Sequence, residues 1–431
     1  MRPYHPYTPD QADLLPVSLG EAMPSEDPVH AIRAILPRLD LSVIHAAYQS
    51  ERGRPPFHPH AMVGLLLYGA CCGIYSSRKL AQACGDRLTF MYLTGRARPE
   101  CHTIAQFRQR FRPVLLDLFR QVLELCREAG LVRLGHVSLD GTKVRANASK
   151  HKAMSYARMA LREQALEAEI ARWFAEAERE DAAEDEAHGP GDDGCSLPPE
   201  LREPVTRLAK IQAAQERLER AARERAAAAG QDPAQAHVAP TAQSNFTDPE
   251  SRIMHTPDGF QQCYNAQIAV DAASQVIVAY EVSQAPGDVQ RLQPMLARLI
   301  ALHGRAPEQL SADAGYASEA NFAALDAAGV HAVVALRRYR RDEPPDADPA
   351  PAHATTRWPA RNRMRERLAT AAGKALYKLR KQTVEPVIGQ FKAARSFRQF
   401  LCRGLAAVDP EMALICTAHN VLKLAKASLP A

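Results

Sequence analysis

The interpretation of this chain starts from one stretch of sequence, Leu134-Gly135-His136-Val137-Ser138-Leu139-Asp140-Gly141-Thr142-Lys143-Val144-Arg145-Ala146-Asn147. Its apolar residues predict a short buried strand over residues 137–139. The strand end presents one carboxylate, Asp140, followed by a glycine that frees the backbone and by a polar, basic run. Catalytic and metal-binding aspartates often follow such strands, but Asp-Gly is also among the commonest turn dipeptides. Both interpretations stay open until the rest of the chain is considered.

The bulk composition is that of a globular protein with several domains. The 431 residues are 46% hydrophobic and 24% charged, which excludes a disordered or fibrous chain, and the formal net charge of +5 is unevenly distributed. None of the nine cysteines forms a Cys-x-x-Cys pair, so we expect reduced thiols in a cytosolic protein rather than disulfides or a zinc site. The N-terminus has no signal-peptide pattern, and no apolar run is long enough to span a bilayer.

Residues 1–132 are expected to form an all-α domain. The first 30 residues resemble an extended arm, and helical periodicity then continues to residue 132, with an apolar stripe after Thr103 that predicts one long helix. The polar residues of this region are mostly basic, which favours a DNA-binding domain, although many surface arginines are simply solvated. The candidate contacts include Arg78 and Arg108.

Residues 151–249 are expected to form a helical insertion. Two apolar seams, beginning at Leu166 and Leu208, are separated by an acidic, glycine-containing linker over residues 178–194, which predicts an antiparallel helical hairpin. The insertion is interpreted as a solvated appendage, and a role in dimerisation is the alternative.

Strand patterns return after Phe260. Residues 263–271 and 276–282 predict a β-hairpin, a helix begins at Asp288, and a strand over residues 309–312 ends in a second carboxylate, Asp313, again followed by a small residue and a glycine. A helix over residues 317–328, a strand over residues 330–336 and a basic helix carrying Glu385 follow. Pro386 within that helix predicts a kink or a new helix start.

This order suits a ribonuclease H-like mixed sheet, in which the first and fourth strands are neighbours and a later helix crosses both. Asp140, Asp313 and Glu385 would then converge, and their mutual repulsion would raise their pKa values unless cations neutralise them. Two divalent ions about 3.5–4 Å apart are the apparatus for in-line phosphodiester displacement. Oxygen ligands select Mg²⁺ or Mn²⁺.

The chain resembles a bacterial insertion-sequence transposase with a DDE active site. The resemblance rests on six segments, Gly53-Arg54-Pro55-Pro56-Phe57-His58-Pro59, Ser76-Ser77-Arg78-Lys79-Leu80-Ala81, His102-Thr103-Ile104-Ala105-Gln106-Phe107-Arg108, Leu139-Asp140-Gly141-Thr142, Ala312-Asp313-Ala314-Gly315-Tyr316 and Lys381-Gln382-Thr383-Val384-Glu385-Pro386-Val387-Ile388-Gly389-Gln390-Phe391-Lys392. It implies an α/β fold: a ribonuclease H-like catalytic domain with helices on both faces (residues 133–150 and 250–431), an N-terminal helical domain and the helical-hairpin insertion.

The resemblance also implies a function. An enzyme of this family, an endonuclease and polynucleotidyl transferase of a mobile element, binds terminal inverted repeats, cleaves at the element ends and transfers the 3′-hydroxyl strand to target DNA. Asp140, Asp313 and Glu385 would be catalytic and would bind two Mg²⁺ or Mn²⁺ ions. The expected partners are double-stranded DNA and a second subunit in a synaptic complex, with a cytoplasmic, nucleoid-associated location and no membrane.

In related transposases the glutamate helix carries a Tyr, Arg, Glu and Lys signature. Glu385 and Lys392 fit its last spacing, but Lys381 holds the Arg position, while Tyr377 and Arg380 each come one residue early. Helix geometry places Lys381 on the face of Glu385, so we expect Lys381 beside the metals and Arg380 at the rim, near a phosphate. Further DNA contacts are expected from a basic set: Arg337 to Arg341, Lys392, Arg395, Arg398 and Arg403. His419 and Asn420 are interpreted as packing residues.

Two alternatives compete with a transposase. A haloacid-dehalogenase-like phosphatase also uses Asp-Gly-Thr, but it needs a nucleophilic aspartate two residues before that aspartate, where this chain has Ser138. A transposase-derived DNA-binding protein that no longer cleaves DNA would not need the acidic triad.

Overall fold

The computed structural model describes residues 18–48, 55–188, 199–336 and 358–428. The predictions for the N-terminal arm up to residue 17, for residues 189–194 of the acidic linker and for Arg337 to Arg341 lie outside the described residues. Residues 178–188, which were predicted as part of that linker, are instead helical. None of the described helices combines the length and apolarity needed to cross a membrane.

Among the described residues, seven α-helices precede the first strand and no strand occurs between residues 18 and 132. Asp27 caps the first helix by accepting a hydrogen bond from Val29 N at 2.9 Å. The stripe predicted as one helix after Thr103 is divided at Phe111, because Pro113 cannot donate to the hydrogen-bond ladder of the preceding helix. The helices are α1 (Pro28–Ile35), α2 (Ser42–Ala46), α3 (Pro59–Cys71), α4 (Ser77–Asp86), α5 (Leu88–Thr94), α6 (Cys101–Arg110) and α7 (Arg112–Glu128).

The main sheet is mixed and has six strands. They are β1 (His136–Arg145), β4 (Arg252–Thr256), β5 (Gly259–Asp271), β6 (Ile277–Ser283), β7 (Gln309–Ala312) and β8 (His331–Val334). The order across the sheet is β4-β5-β1-β7-β8, and β6 pairs with β5 beyond the part that β4 covers. The strands β7 and β8 run parallel to β1, whereas β5 runs antiparallel to it. The predicted mixed α/β architecture is confirmed.

Strand β1 is longer than the sequence indicated. It continues through Asp140 to Arg145, because β5 pairs with it over its whole second half, from Gly141↔Gln267 to Arg145↔Cys263. The interpretation of Asp140-Gly141 as a turn is therefore wrong. The short strand β4, which the sequence analysis missed, forms a hairpin with β5 through Gly259, whose φ of 86° suits glycine.

The predicted helical hairpin is present between β1 and β4. Helices α8 (Tyr156–His188) and α9 (Pro199–Ala228) pack antiparallel around a small core of their own, formed by Met159, Leu166, Ile211 and Ala214. A two-stranded sheet of β2 (Ala153–Ser155) and β3 (Gln243–Asn245) closes the base of the hairpin. The side chains of Trp173 and Phe174, which belong to a predicted seam, lie outside the described residues.

The remaining helices are α10 (Leu292–His303), α11 (Glu319–Ala327), α12 (Pro359–Ala369), α13 (Ala371–Gly389) and α14 (Leu405–Ser428). Helix α13 crosses β1, β5, β7 and β8. It continues through Pro386, and the missing proline N–H frees the carbonyl of Gln382, which accepts a hydrogen bond from Gln275 Nε2 at 2.8 Å. This contact allows Glu385 to lie on an unbroken helix.

Helix α14 joins the two ends of the fold. It packs against α1, α3, α7 and β6, and one continuous hydrophobic core runs from the N-terminal helices into the sheet. Within α14, Asn420 exchanges two hydrogen bonds with the backbone of Ile277, and buried His419 bonds the carbonyl of Gln275 at 2.8 Å. The packing role predicted for these two residues is confirmed.

Candidate active site

Asp140 and Asp313 follow neighbouring residues of two parallel strands. The ladder between β1 and β7 ends with the pair Leu139↔Ala312, and each aspartate is the next residue along its own strand. Asp313 begins a 3-10 turn in which its side chain accepts a hydrogen bond from Gly315 N at 2.9 Å. Asp140 accepts one from Gly141 N at the same distance. The carboxylates of Asp140 and Asp313 therefore lie at the same end of the β1–β7 ladder.

Arg380 from helix α13 lies between Asp140 and Glu385. Its guanidinium is 2.6 Å from Asp140 Oδ2 and 3.6 Å from Glu385 Oε1. Arg380 is 8% exposed, whereas the Glu385 side chain is 47% exposed. The helix face that packs on the sheet carries Leu376, Arg380, Thr383, Val384 and Val387, so Arg380 points at the strands and Glu385 lies at the margin of this face.

The electrostatics of the three carboxylates are coupled. Burial raises the pKa of Asp140 to about 6, repulsion from Asp313 and Glu385 acts in the same direction, and the positive charge of Arg380 opposes the rise. The charges of Asp140, Asp313 and Glu385 in turn favour the protonated form of Arg380 and raise its pKa, although burial opposes this. The arrangement is a negatively charged site held together by one buried cation.

The position predicted for Lys381 is wrong. Lys381 is exposed, and Arg380, which the sequence analysis placed at the rim, contacts the carboxylates directly. Tyr377 accompanies Arg380: burial raises the pKa of the Tyr377 hydroxyl, which interacts with Arg380, Asp313 and Asp140. The signal that would have found both residues is the apolar spacing of Leu376, Val384 and Val387, since these residues define the face turned to the sheet.

The donor set fits hard divalent cations, because it consists of carboxylate oxygens. No group of three or more histidine, cysteine, aspartate or glutamate side chains in the described part of the chain is arranged to hold a metal ion. Arg380 lies between Asp140 and Glu385, so these two carboxylates could share a cation only if Arg380 releases one of them.

The other predicted DNA contacts divide into exposed and buried residues. Arg78 and Arg398 are exposed. Arg395 is 5% exposed and contacts His419, and Arg108 donates to the carbonyl of Tyr75 at 2.6 Å, so both arginines make contacts inside the protein rather than forming an open basic surface. Lys392 is half-buried and donates to the carbonyl of Lys143 at 2.8 Å.

Two family models match the chain. Residues 17–110 match a model described as a transposase domain, and residues 237–421 match one described as a transposase DDE domain. Together they span more than half of the chain. Asp313 and Glu385 lie within the second match, and Asp140 lies between the two matches. No curated protein and no solved structure matches the chain.

Proposed function

Because the chain belongs to the insertion-sequence DDE transposases, we propose that it binds the terminal inverted repeats of its own element, cleaves the element ends and joins the freed 3′-hydroxyl to target DNA. The acting residues are Asp140, Asp313 and Glu385. The observation that carries the proposal is the end of the β1–β7 ladder at Leu139↔Ala312, since it makes the first two carboxylates neighbours.

The strand arrangement supports a ribonuclease H-like catalytic core. Without the short strand β4, the order across the sheet is β6-β5-β1-β7-β8. Numbered along the chain, these five strands have the order 3-2-1-4-5, and only the second, β5, is antiparallel to the others. Parallel neighbours at the centre require a crossover between β1 and β7, which the β5–β6 hairpin and α10 provide.

The three carboxylates are proposed to hold two Mg²⁺ or Mn²⁺ ions. When bound, the two cations activate the attacking water or 3′-hydroxyl and stabilise the leaving oxygen. The protein itself contributes position: the ladder fixes Asp140 and Asp313, and α13 supplies Glu385. Arg380 supplies a guanidinium 2.6 Å from Asp140, close enough to pair with a phosphate placed against the carboxylates.

DNA is proposed to leave the acidic site along the end of β1. The irregular segment after α13 pairs with this end, through Arg145 N to the carbonyl of Arg398 at 3.2 Å and Arg403 Nε to the carbonyl of Asn147 at 2.9 Å. Arg145, Arg398 and Arg403 are all exposed. Three guanidinium groups on one edge suit a phosphate backbone, which is recognised by charge rather than by base sequence. We also propose that the protein acts as a homodimer in a synaptic complex and is located at the nucleoid.

The test is Mg²⁺-dependent nicking of a DNA duplex that carries the ends of the element. We expect nicking to fall by about 10³-fold or more in each of three variants, Asp140→Asn, Asp313→Asn and Glu385→Gln, while DNA binding in chelator stays near normal. The losses of activity should not add when the substitutions are combined, because the three groups act as one unit. Glu308→Gln is the control, since its carboxylate is exposed and Glu308 precedes β7, at the end of the strand opposite to Asp313. Undiminished cleavage by Asp313→Asn would refute the assignment. End binding without any cleavage by the unmodified protein would indicate the alternative, a non-cleaving DNA-binding protein.

A further inference from the structure

A fourth carboxylate, Asp288, lies against the residues that follow Asp140 and Asp313. A Cβ atom built on Gly141 would meet Gln267 Nε2 and would lie 2.7 Å from Asp288 Oδ1. One built on Gly315 would lie 2.9 Å from Asp313 Oδ1 and 3.2 Å from Asp288 Oδ2. Real Cβ atoms do not approach an oxygen as closely as the first of these distances. Both backbone segments that follow the active-site aspartates therefore pack on the same side chain.

Three nitrogen donors from the two central strands fix the Asp288 carboxylate. Its Oδ1 accepts hydrogen bonds from Lys143 Nζ at 3.1 Å, Asn265 Nδ2 at 2.7 Å and Gln267 Nε2 at 2.8 Å. Lys143 pairs with Asn265, and Gly141 with Gln267, across β1 and β5, so all four residues share one face of the sheet. Asn265 and Gln267 are completely buried, where an unpaired amide is costly.

A second set of contacts ties this cluster to the turn after Asp313. The Tyr316 hydroxyl donates to Gln267 Oε1, and Tyr316 belongs to that turn. Asn321 donates both to the Tyr316 carbonyl at 2.7 Å and to the Val289 carbonyl at 2.6 Å, which joins the turn to the residue after Asp288. The turn is therefore connected to Asp288 from two sides.

We infer that Asp288 is a positioning residue for the proposed catalytic site. It holds the backbone after Asp140 and the turn after Asp313 at the separation that lets both aspartates face the same pair of cations. Its Oδ1 accepts three hydrogen bonds and its Oδ2 lies against the turn at Gly315, so we assign Asp288 a role through the backbone that it supports and not as a ligand. This inference rests on the proposed function, since it assumes that Asp140 and Asp313 bind divalent metal.

The test compares two part-buried ion pairs. The side chains of Lys143 and Asp288 are 20% and 16% exposed, and those of Arg291 and Glu281, which lie 3.2 Å apart, are 23% and 21% exposed. Asp288→Asn and Glu281→Gln thus remove the same kind of charge from similar surroundings. We expect Asp288→Asn to weaken Mn²⁺ binding by tenfold or more, in the range of about 10–100-fold typical of residues that support metal ligands, and Glu281→Gln to leave it unchanged. Mn²⁺ titration calorimetry and thermal unfolding in chelator measure affinity and stability separately.

Asp313→Asn serves as the reference for losing a ligand. If Asp288→Asn binds Mn²⁺ as tightly as the unmodified protein while Asp313→Asn does not, the positioning role is refuted and the proposed function stands. If Asp313→Asn also retains full affinity, the proposed metal site itself fails. An equal loss of affinity in Glu281→Gln would show a general effect of instability and would overturn the inference.

A pair of glycine variants tests the same contact without altering any charge. Gly141→Ala places a methyl group against Asp288 and against Gln267, which donates to Asp288, whereas the methyl group of Gly287→Ala, next to Asp288 in the chain, meets no atom within 4 Å. Gly141→Ala should weaken Mn²⁺ binding, as Asp288→Asn does, and Gly287→Ala should leave the affinity for Mn²⁺ unchanged. Unchanged affinity in a folded Gly141→Ala protein would contradict the inference.

Discussion

The guanidinium of Arg380 lies 2.6 Å from Asp140 Oδ2 and 3.6 Å from Glu385 Oε1, and so joins a carboxylate on a strand to one on a helix. The bridge neutralises a site that would otherwise hold three negative charges at close range. Any cation that enters between the two carboxylates has to displace this contact. Arg380 is therefore expected to influence metal binding as well as DNA.

Arg380→Gln should lower the thermal stability of the protein in chelator, because the carboxylates lose the charge that offsets their repulsion. Added Mn²⁺ should then raise the melting temperature by more than it does in the unmodified protein. The neighbouring variant Lys381→Gln is the matched control, since Lys381 is exposed. A similar response of both variants would mean that the bridge does not compete with metal.

The raised pKa of Asp140 predicts a particular dependence of stability on pH. Burial raises this pKa from 3.8 to about 6, so the folded state binds the Asp140 proton more tightly than the unfolded state does. The contribution of Asp140 is therefore most favourable below pH 4 and is lost as the pH rises to 6, by at most about 3 kcal/mol. The free energy of unfolding, measured in urea with chelator, should fall by this amount between pH 4 and 7 in the unmodified protein relative to Asp140→Asn. A difference that is constant or grows with pH would contradict the assignment.

Substitution of two arginines that are close together in the chain should affect different properties: DNA binding for Arg398 and stability for Arg395. Arg398→Ala should reduce the slope of log affinity for DNA against log salt by about 0.9, with equal weakening for all sequences and unchanged stability, because its exposed charge meets one phosphate. Arg395→Ala should instead reduce the free energy of unfolding by on the order of 2 kcal/mol, since Arg395 is buried against Phe391 and His419. Salt titrations and thermal melts of both variants distinguish the two roles. A change of sequence preference in Arg398→Ala would refute the backbone contact.

The helical hairpin should be dispensable for the metal site. Its two ends are already joined at its base, where Tyr156 N donates to the carbonyl of Ala242 at 2.8 Å and Ala157 N to that of Pro240 at 3.2 Å. Replacing residues 160–236 by a short Gly/Ser linker should leave a folded protein that binds Mn²⁺ with unchanged affinity. Leu166→Asp disrupts only the small core of the hairpin and should likewise leave a folded protein with unchanged affinity for Mn²⁺. Loss of folding in either variant would show that the hairpin supports the sheet.

The sequence predicted the order of the elements better than their contacts. Short runs rich in apolar residues located β5, β6 and β7, because these strands are largely buried. The length of β1 was missed because Thr142, Lys143 and Arg145 are polar, and the pairing with β5 that holds them in a strand is a tertiary effect. The face of α13 was misjudged because it was centred on Glu385 and not on the apolar residues that meet the sheet.

Part of the proposed site had no signal in the sequence. Asp288 was recognised only as a helix start, since nothing local indicates that two glycines far away in the chain pack on its carboxylate. The glycines after Asp140 and Asp313 were noticed as a repeated pattern, and their physical reason is this shared contact. A buried polar cluster depends on residues from five separate segments, and one sequence does not reveal which of them meet.

The packing of α14 has a consequence for how the protein is made. Helices α1, α3 and α7 are synthesised first among the described elements, yet α14, which covers them, is synthesised last. The apolar surface of the early helices therefore stays open while the ribosome translates the next three hundred or so codons, roughly 15–60 s at 5–20 residues per second. We therefore expect the packing of these helices to be completed only after α14 has been synthesised, and the apolar surface that they expose until then is of the kind that chaperones bind.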